Sequence, residues 1–117
     1  MAWTDYASAP PPGTVICAAT GLAGARCLEV VSPAGRFPLI LVATAQGPRA
    51  YVNACPHQFL PLNYRSDTVL SADGTRLLCS AHGARFDAGT GAAPDGPGLD
   101  PVPIEERDGM ICIGPAA

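Results

Sequence analysis

Two short boxes of metal-binding side chains set the terms on which this chain can fold. The first is Cys55-Pro56-His57, and the second, after a further twenty-one residues, is Cys79-Ser80-Ala81-His82. The sequence holds two histidines in all, and each follows a cysteine, by two residues in one box and three in the other. Four ligands divided by such a gap serve one centre only if the fold brings two separate loops together. Two thiolates with two imidazoles make a soft and borderline donor set, suited to zinc or an iron–sulfur centre and ill suited to calcium or magnesium.

The offsets separate the two candidates. Structural zinc sites of this composition usually place two cysteines on one knuckle and two histidines on another. Here each box contributes one of each. If one iron takes both cysteines and the other both histidines, each box touches both metals, which is the Rieske ligation of a [2Fe–2S] centre.

The wider pattern, Cys-x-His and then Cys-x-x-His-Gly-x-x-Phe-Asp followed by Thr90-Gly91, resembles the Rieske family over residues 38–113. Within that family it is similar to the soluble ferredoxins and small electron-transfer subunits that serve bacterial oxygenases, although the gap between its boxes is several residues longer than most members have. The resemblance implies an all-β fold of antiparallel sheets in a sandwich, with a small cluster-binding subdomain formed by two loops. It implies one Rieske-type [2Fe–2S] cluster per chain, ligated by Cys55, His57, Cys79 and His82. It also implies a flavin-dependent ferredoxin reductase as electron donor and a terminal oxygenase as acceptor.

The resemblance bears on the reduction potential as well. Respiratory-chain members carry an additional cysteine in each ligand loop, joined as a disulfide, and serine and tyrosine hydroxyls that hydrogen-bond the cluster sulfurs. Leu60, Ala81, Ala84 and Phe86 stand at the corresponding positions here. Hydrogen bonds to sulfur favour the more negative reduced state, so their removal implies a potential at the low end of the Rieske range of ~−150 to +300 mV.

Length and charge narrow the function. A chain of 117 residues reads as one domain, expected over 14–117 behind a flexible N-terminal tail of residues 1–13 that ends in Pro10-Pro11-Pro12-Gly13, with Trp3 or Tyr6 available to anchor it. It leaves no room for a second catalytic domain, which speaks against a complete oxygenase. Seven arginines without a lysine, within a net charge of −3, form no basic patch for nucleic acid. From residue 87 onward, Asp87, Asp95, Asp100, Glu105, Glu106 and Asp108 are opposed only by Arg107, so that end is either a solvated acidic face or a docking face for a reductase. Cys17, Cys27 and Cys112 lie in apolar runs and read as small buried hydrophobes, the alternative being one disulfide and a leftover thiol. Neither a secretory signal nor a stretch of transmembrane length is evident, and a reducing cytoplasm is the expected location, with no membrane partner.

Short apolar runs bounded by Gly and Pro predict strands at 14–18, 26–32, 39–43, 49–54, 68–70, 75–78, 86–87, 102–106 and 110–113. Ser71-Ala72-Asp73-Gly74 and Asp108-Gly109 read as hairpin turns. On this reading Cys55 and Cys79 both sit just beyond strand ends. The apolar residues of 58–67 either pad their loop or shield a cluster from water, and the Pro- and Gly-rich stretch 92–101 is either a connector or a cover over it. Gly83 is expected to adopt a positive φ or to admit close backbone approach. Ser80 beside His82 makes no catalytic dyad if that histidine is metallated, and no glycine-rich phosphate loop precedes a helix. Oxidised cluster assembly would leave the formal charge at −3 and one electron would take it to −4. The chain therefore reads as an electron-transfer component rather than a catalyst. The alternatives are a small Rieske redox subunit held in a larger, nitrite-reductase-like assembly and a non-redox zinc module.

Overall fold

The computed structural model describes residues 2–56, 60–81, 83–94 and 96–115. Among them the strands are β1 (Val15–Ala18), β2 (Ala25–Ser32), β3 (Gly35–Thr44), β4 (Gly47–Val52), β5 (Arg76–Leu78), β6 (Arg85–Asp87), β7 (Ile104–Arg107) and β8 (Met110–Ile113). All pairings between them are antiparallel, in three sheets ordered β1-β8-β7, β2-β3-β4 and β5-β6. The expected all-β architecture holds, and the helix described is a single 3-10 turn at Trp3–Asp5.

The apolar run beginning at Leu39 becomes the middle strand of the middle sheet, covered on both faces. Successive side chains of a strand point to opposite faces. Leu39 and Leu41 accordingly enter one core with Phe37, Val52, Val102, Ile111 and Ile113. Ile40 and Val42 enter a second core with Tyr51, Leu62, Leu77, Phe86, Cys55 and Cys79. Burial of each such aliphatic side chain contributes ~1.5–3 kcal/mol, so β3 is stabilised from two directions and needs no polar face. The same division positions the site, because the second core lies between the middle sheet and the β5–β6 hairpin.

Pro38 was expected to flank this strand, yet β3 runs through it. Its carbonyl accepts the Asn53 N–H at 3.2 Å, so the backbone groups of Pro38 face the β4 side, just past the end of β4. Opposite Glu29 in β2 it occupies a position that exchanges no ladder hydrogen bond, and the missing N–H costs nothing there. A related rule admits Pro101. Val52 N–H donates to Asp100 O and Val102 N–H to Ala50 O, both at 2.9 Å, while Tyr51 and Pro101 form the unbonded bridge between them. The described residues of the 92–101 stretch thus form no long strand, and its end zips onto β4.

Turn chemistry closes the hairpins. Asp108 and Gly109 have φ of 52° and 78°, the left-handed pair that a two-residue turn between β7 and β8 requires. The turn after β3 falls on Ala45-Gln46, with Gly47 already in β4. In the hairpin before β5, Asp73 Oδ1 accepts from the Ser71 hydroxyl and from the Thr75 hydroxyl and N–H. Those donors hold its carboxyl down at about 2. The expected strand at 68–70 is reduced to the Leu70–Leu77 bridge and the Leu78 N–H to Val69 O bond. Ahead of β1, Trp3 is buried, and Trp3 and Tyr6 meet Phe37 edge-on at centroid distances of 6.2 and 5.6 Å.

Candidate metal centre

Cys55 and Cys79 are brought into one apolar core although they leave different sheets. Cys55 follows β4 after Asn53-Ala54, and Cys79 follows β5 directly. Both are buried, at 0% and 1% exposure, among Ile40, Leu62, Leu77 and Phe86. Each begins a loop closed in the same way: Cys55 N–H donates to Leu60 O and Cys79 N–H to Ala84 O, both at 2.8 Å. Two loops of equal span thus place the thiols in equivalent backbone settings. His57 belongs to the first loop and His82 to the second, and both imidazoles lie outside the described residues, as do Gln58 and Phe59.

Gly83 has the positive φ expected of it, 72°, and its N–H donates to Cys79 O at 2.7 Å. A side chain there would meet nothing within 4 Å, so conformation rather than room calls for glycine. Of the positions matched by resemblance to a disulfide cysteine or a sulfur-bonding hydroxyl, Phe86 is fully buried opposite Leu77, and Ala81 and Ala84 pack against the same core. None of these side chains carries a hydroxyl.

Three polar residues that the sequence did not single out as site residues in this role organise the loops. Tyr51, on the β4 face that continues toward Cys55, donates its hydroxyl to Ala88 O at 2.7 Å. Its phenol is pushed up to about 12, by burial first, with Arg49 opposing and Asp87 adding. Asn53 is the buried polar side chain ahead of the first box; its Oδ1 accepts the Leu62 N–H at 2.8 Å and its Nδ2 donates to Asn63 Oδ1 at 3.2 Å. Ser80 donates to Leu62 O at 2.6 Å and accepts the N–H groups of Arg65 and Ser66. A lone amide between Val52 and the Cys55 box was the one signal available for Asn53.

Both flanking segments send a side chain into the core that holds the cysteines. Leu62 is fully buried beside both thiols, whereas Tyr64 is 57% exposed, so the 60–67 loop pads the core with one side chain and offers another to solvent. Leu99, from the Pro- and Gly-rich stretch, joins the same core, and Gly91 N–H and O bond to Asp87 and Leu99 respectively. Gly91 has φ of 78°, and a Cβ on it would lie 2.7 Å from the Tyr51 ring. Gly98 in turn packs against the Gly91 carbonyl. In the acidic C-terminal third, Asp87 caps the turn after β6 by accepting from Gly89 and Thr90, and Glu105 pairs with Arg107 at 2.8 Å. No disulfide joins Cys17, Cys27 or Cys112. Burial, with the Asp67 charge adding, pushes the Cys27 thiol up against the effect of a hydrogen bond with Asn53. Among the described residues, no helix is long and apolar enough to cross a membrane.

The model of the Rieske [2Fe-2S] domain matches residues 14–106. The oxygenase component of dicamba O-demethylase from Stenotrophomonas maltophilia is 37% identical over an alignment of 75 residues, with a coverage of 56% of this chain and 21% of that protein. The chain thus spans about a fifth of the length of the curated relative it matches. Among solved structures, a ferredoxin of Sphingomonas yanoikuyae B1 superposes with a TM-score of 0.67 at 24% identity, covering 89% of this chain and 99% of that one. A complex of reduced oxygenase and oxidised ferredoxin in carbazole 1,9a-dioxygenase contains a chain that matches with a TM-score of 0.61 at 22% identity, covering 83% of this chain and 96% of its own.

Proposed function

The chain belongs to the Rieske [2Fe–2S] domain family, whose domain holds one Rieske-type [2Fe–2S] cluster, and from this we propose that it is a one-electron carrier between a flavin-dependent reductase and an oxygenase-type terminal enzyme. The residues fit the cluster: two buried thiols head two loops of equal closure, and each loop carries one histidine. Cys55 and Cys79 would hold one iron and His57 and His82 the other. When bound, the cluster supplies a site that takes up and releases one electron at a time.

The chain's own residues do the rest. The apolar side chains of Leu62, Leu77 and Phe86 keep water from the cysteine sulfurs, and the Tyr51 hydroxyl stays protonated far above neutral pH, bonded to backbone rather than available for proton transfer. A carrier needs its histidine end at the surface, so His57 and His82 would mark the docking face; Arg85, which follows the second loop, is exposed. The observation that carries the reading is the pair of buried, equivalently closed cysteine loops in a fold that spans nearly the whole of a free-standing ferredoxin. An oxygenase partner is supported by the ferredoxin bound to its oxygenase in the carbazole system. A reducing cytoplasm suits a cluster held by thiolate ligands.

The identity to the dicamba oxygenase component supports a second reading, in which this fold serves as a redox unit held within a larger enzyme. Purification distinguishes the two, since a carrier elutes alone and a subunit brings a stoichiometric partner. Metal analysis with visible spectroscopy tests both. Two irons with acid-labile sulfide in a red-brown protein, reduced by a flavin reductase and reoxidised by an oxygenase, is the expected result, and one zinc in a colourless protein would overturn it.

A further inference from the structure

We propose that Leu62 is a backbone clasp between the two ligand loops, held on one side by Asn53 and on the other by Ser80, and that these two side chains are positioning residues for the cluster. The inference rests on the reading of Cys55 and Cys79 as cluster ligands. Asn53 stands two residues before Cys55, and its Oδ1 accepts the Leu62 N–H at 2.8 Å. Ser80 follows Cys79, and both its N–H and its hydroxyl donate to Leu62 O, at 2.8 and 2.6 Å. One residue therefore binds the approach to the first thiol through its N–H and the exit from the second through its C=O.

The fold explains why such a clasp is needed. β4 and β5 belong to different sheets, and among the described residues no strand pairing joins those sheets. The spacing of Cys55 and Cys79 is thus not set by a ladder. Apolar contacts in their common core are non-directional, whereas hydrogen bonds fix distance and orientation. The clasp is also fully satisfied. The Ser80 oxygen accepts the Arg65 N–H at 2.9 Å and the Ser66 N–H at 3.2 Å, so its one donor and two acceptor sites are all engaged within the protein. This removes the hydroxyl from the sulfurs and gives it a mechanical task instead. Asn53, 7% exposed, ties its carboxamide further to Asn63, and Leu62 is fully buried in the core that holds both cysteines.

The test compares the holoprotein with Ser80→Ala, Ser80→Thr and Asn53→Ala. Outer partners of metal ligands typically change metal affinity by about 10- to 100-fold. Ser80→Ala and Asn53→Ala should release iron to a chelator faster by a factor in that range, shift the reduction potential, and lose amide protection at Arg65 and Ser66 in the serine variant and at Leu62 in the asparagine variant. Ser80→Thr, which keeps the hydroxyl, should restore the wild-type release rate. Because both side chains act through Leu62, the double variant should fall short of the product of the single effects. Val30→Ala, a cavity in the opposite core, supplies a control of lowered stability and should leave potential and iron release unchanged at temperatures well below unfolding. If Val30→Ala released iron as fast as Ser80→Ala, or if Ser80→Ala kept the wild-type rate and potential, the clasp would be refuted while an iron-bearing wild type left the carrier reading intact. A wild type without iron would overturn both.

Discussion

Replacing Tyr51 by Phe removes a single buried hydrogen bond that joins the strand leading to Cys55 to the turn beyond the second ligand loop. Tyr51 is 1% exposed, and its hydroxyl lies 2.7 Å from the Ala88 carbonyl, itself in a buried residue. The bond is worth about 1 kcal/mol net, but loss of the donor also withdraws a partner from a buried carbonyl, a penalty of about 1–3 kcal/mol. The larger figure governs, because water does not reach the vacated site. At about 4 °C per kcal/mol for a domain of this size, the variant should melt about 4–12 °C below the wild type at neutral pH. The pH dependence adds an independent signature. The phenol titrates near 10.0 in an unfolded chain and near 12 in the fold. A raised pKa of this kind gives stability that is complete below pH ~10 and is lost as pH rises toward ~12. The wild type should therefore lose its advantage over Tyr51→Phe across that window. Thermal unfolding followed by circular dichroism, at neutral pH and at steps between about pH 10 and 12, reads both effects. Equal melting temperatures at neutral pH, or parallel alkaline declines, would refute the reasoning.

Replacing any of Cys55, His57, Cys79 or His82 by Ala should bleach the protein or leave a labile cluster, and should lower its melting temperature because metal binding is coupled to folding; His57→Ala with wild-type iron and spectrum would remove it from the ligand set. Gly91→Ala should cost clearly more in a denaturant titration than Gly74→Ala: both have φ near 77° on average, at 78° and 76°, but only at Gly91 does the added carbon meet the Tyr51 ring, whereas at Gly74 nothing lies within 4 Å. Voltammetry should place the wild-type potential below roughly 0 mV and near −150 mV, and Phe86→Tyr should raise it by offering a donor to a cluster sulfur; a wild-type midpoint near +200 mV would contradict the carrier reading.

Much of this molecule is written in local chemistry. A cysteine and a histidine at tight offset, repeated once, carry the proposed donor set wherever the chain goes. The residues at 60, 81, 84 and 86 lack hydroxyls in any fold. Apolar runs between Gly and Pro mark strands because period-2 burial and turn conformations are properties of neighbouring residues, and so the strands at 15–18, 25–32 and 110–113 lie within about a residue of their expected limits. Asp108-Gly109 announces its turn for the same reason.

What escaped the sequence depends on groups that are distant along it. The run at Leu39 reads as a buried strand, but its division into two cores, Leu39 and Leu41 on one side and Ile40 and Val42 on the other, exists only once sheets lie on both faces. Pro38 reads as a strand boundary, and only the end of β4 beside it shows that its missing N–H is harmless. The Tyr51–Ala88 bond spans 37 residues and the Ser80–Leu62 bond 18. No periodicity encodes either, because a side-chain hydrogen bond is selected by which backbone groups the packing leaves in need of a partner. The sequence by itself thus determined which atoms can bind the metal and that the strands would deliver them on two loops; the tertiary structure decided which tyrosine, asparagine and serine hold those loops, since that choice is made by burial and not by sequence neighbours.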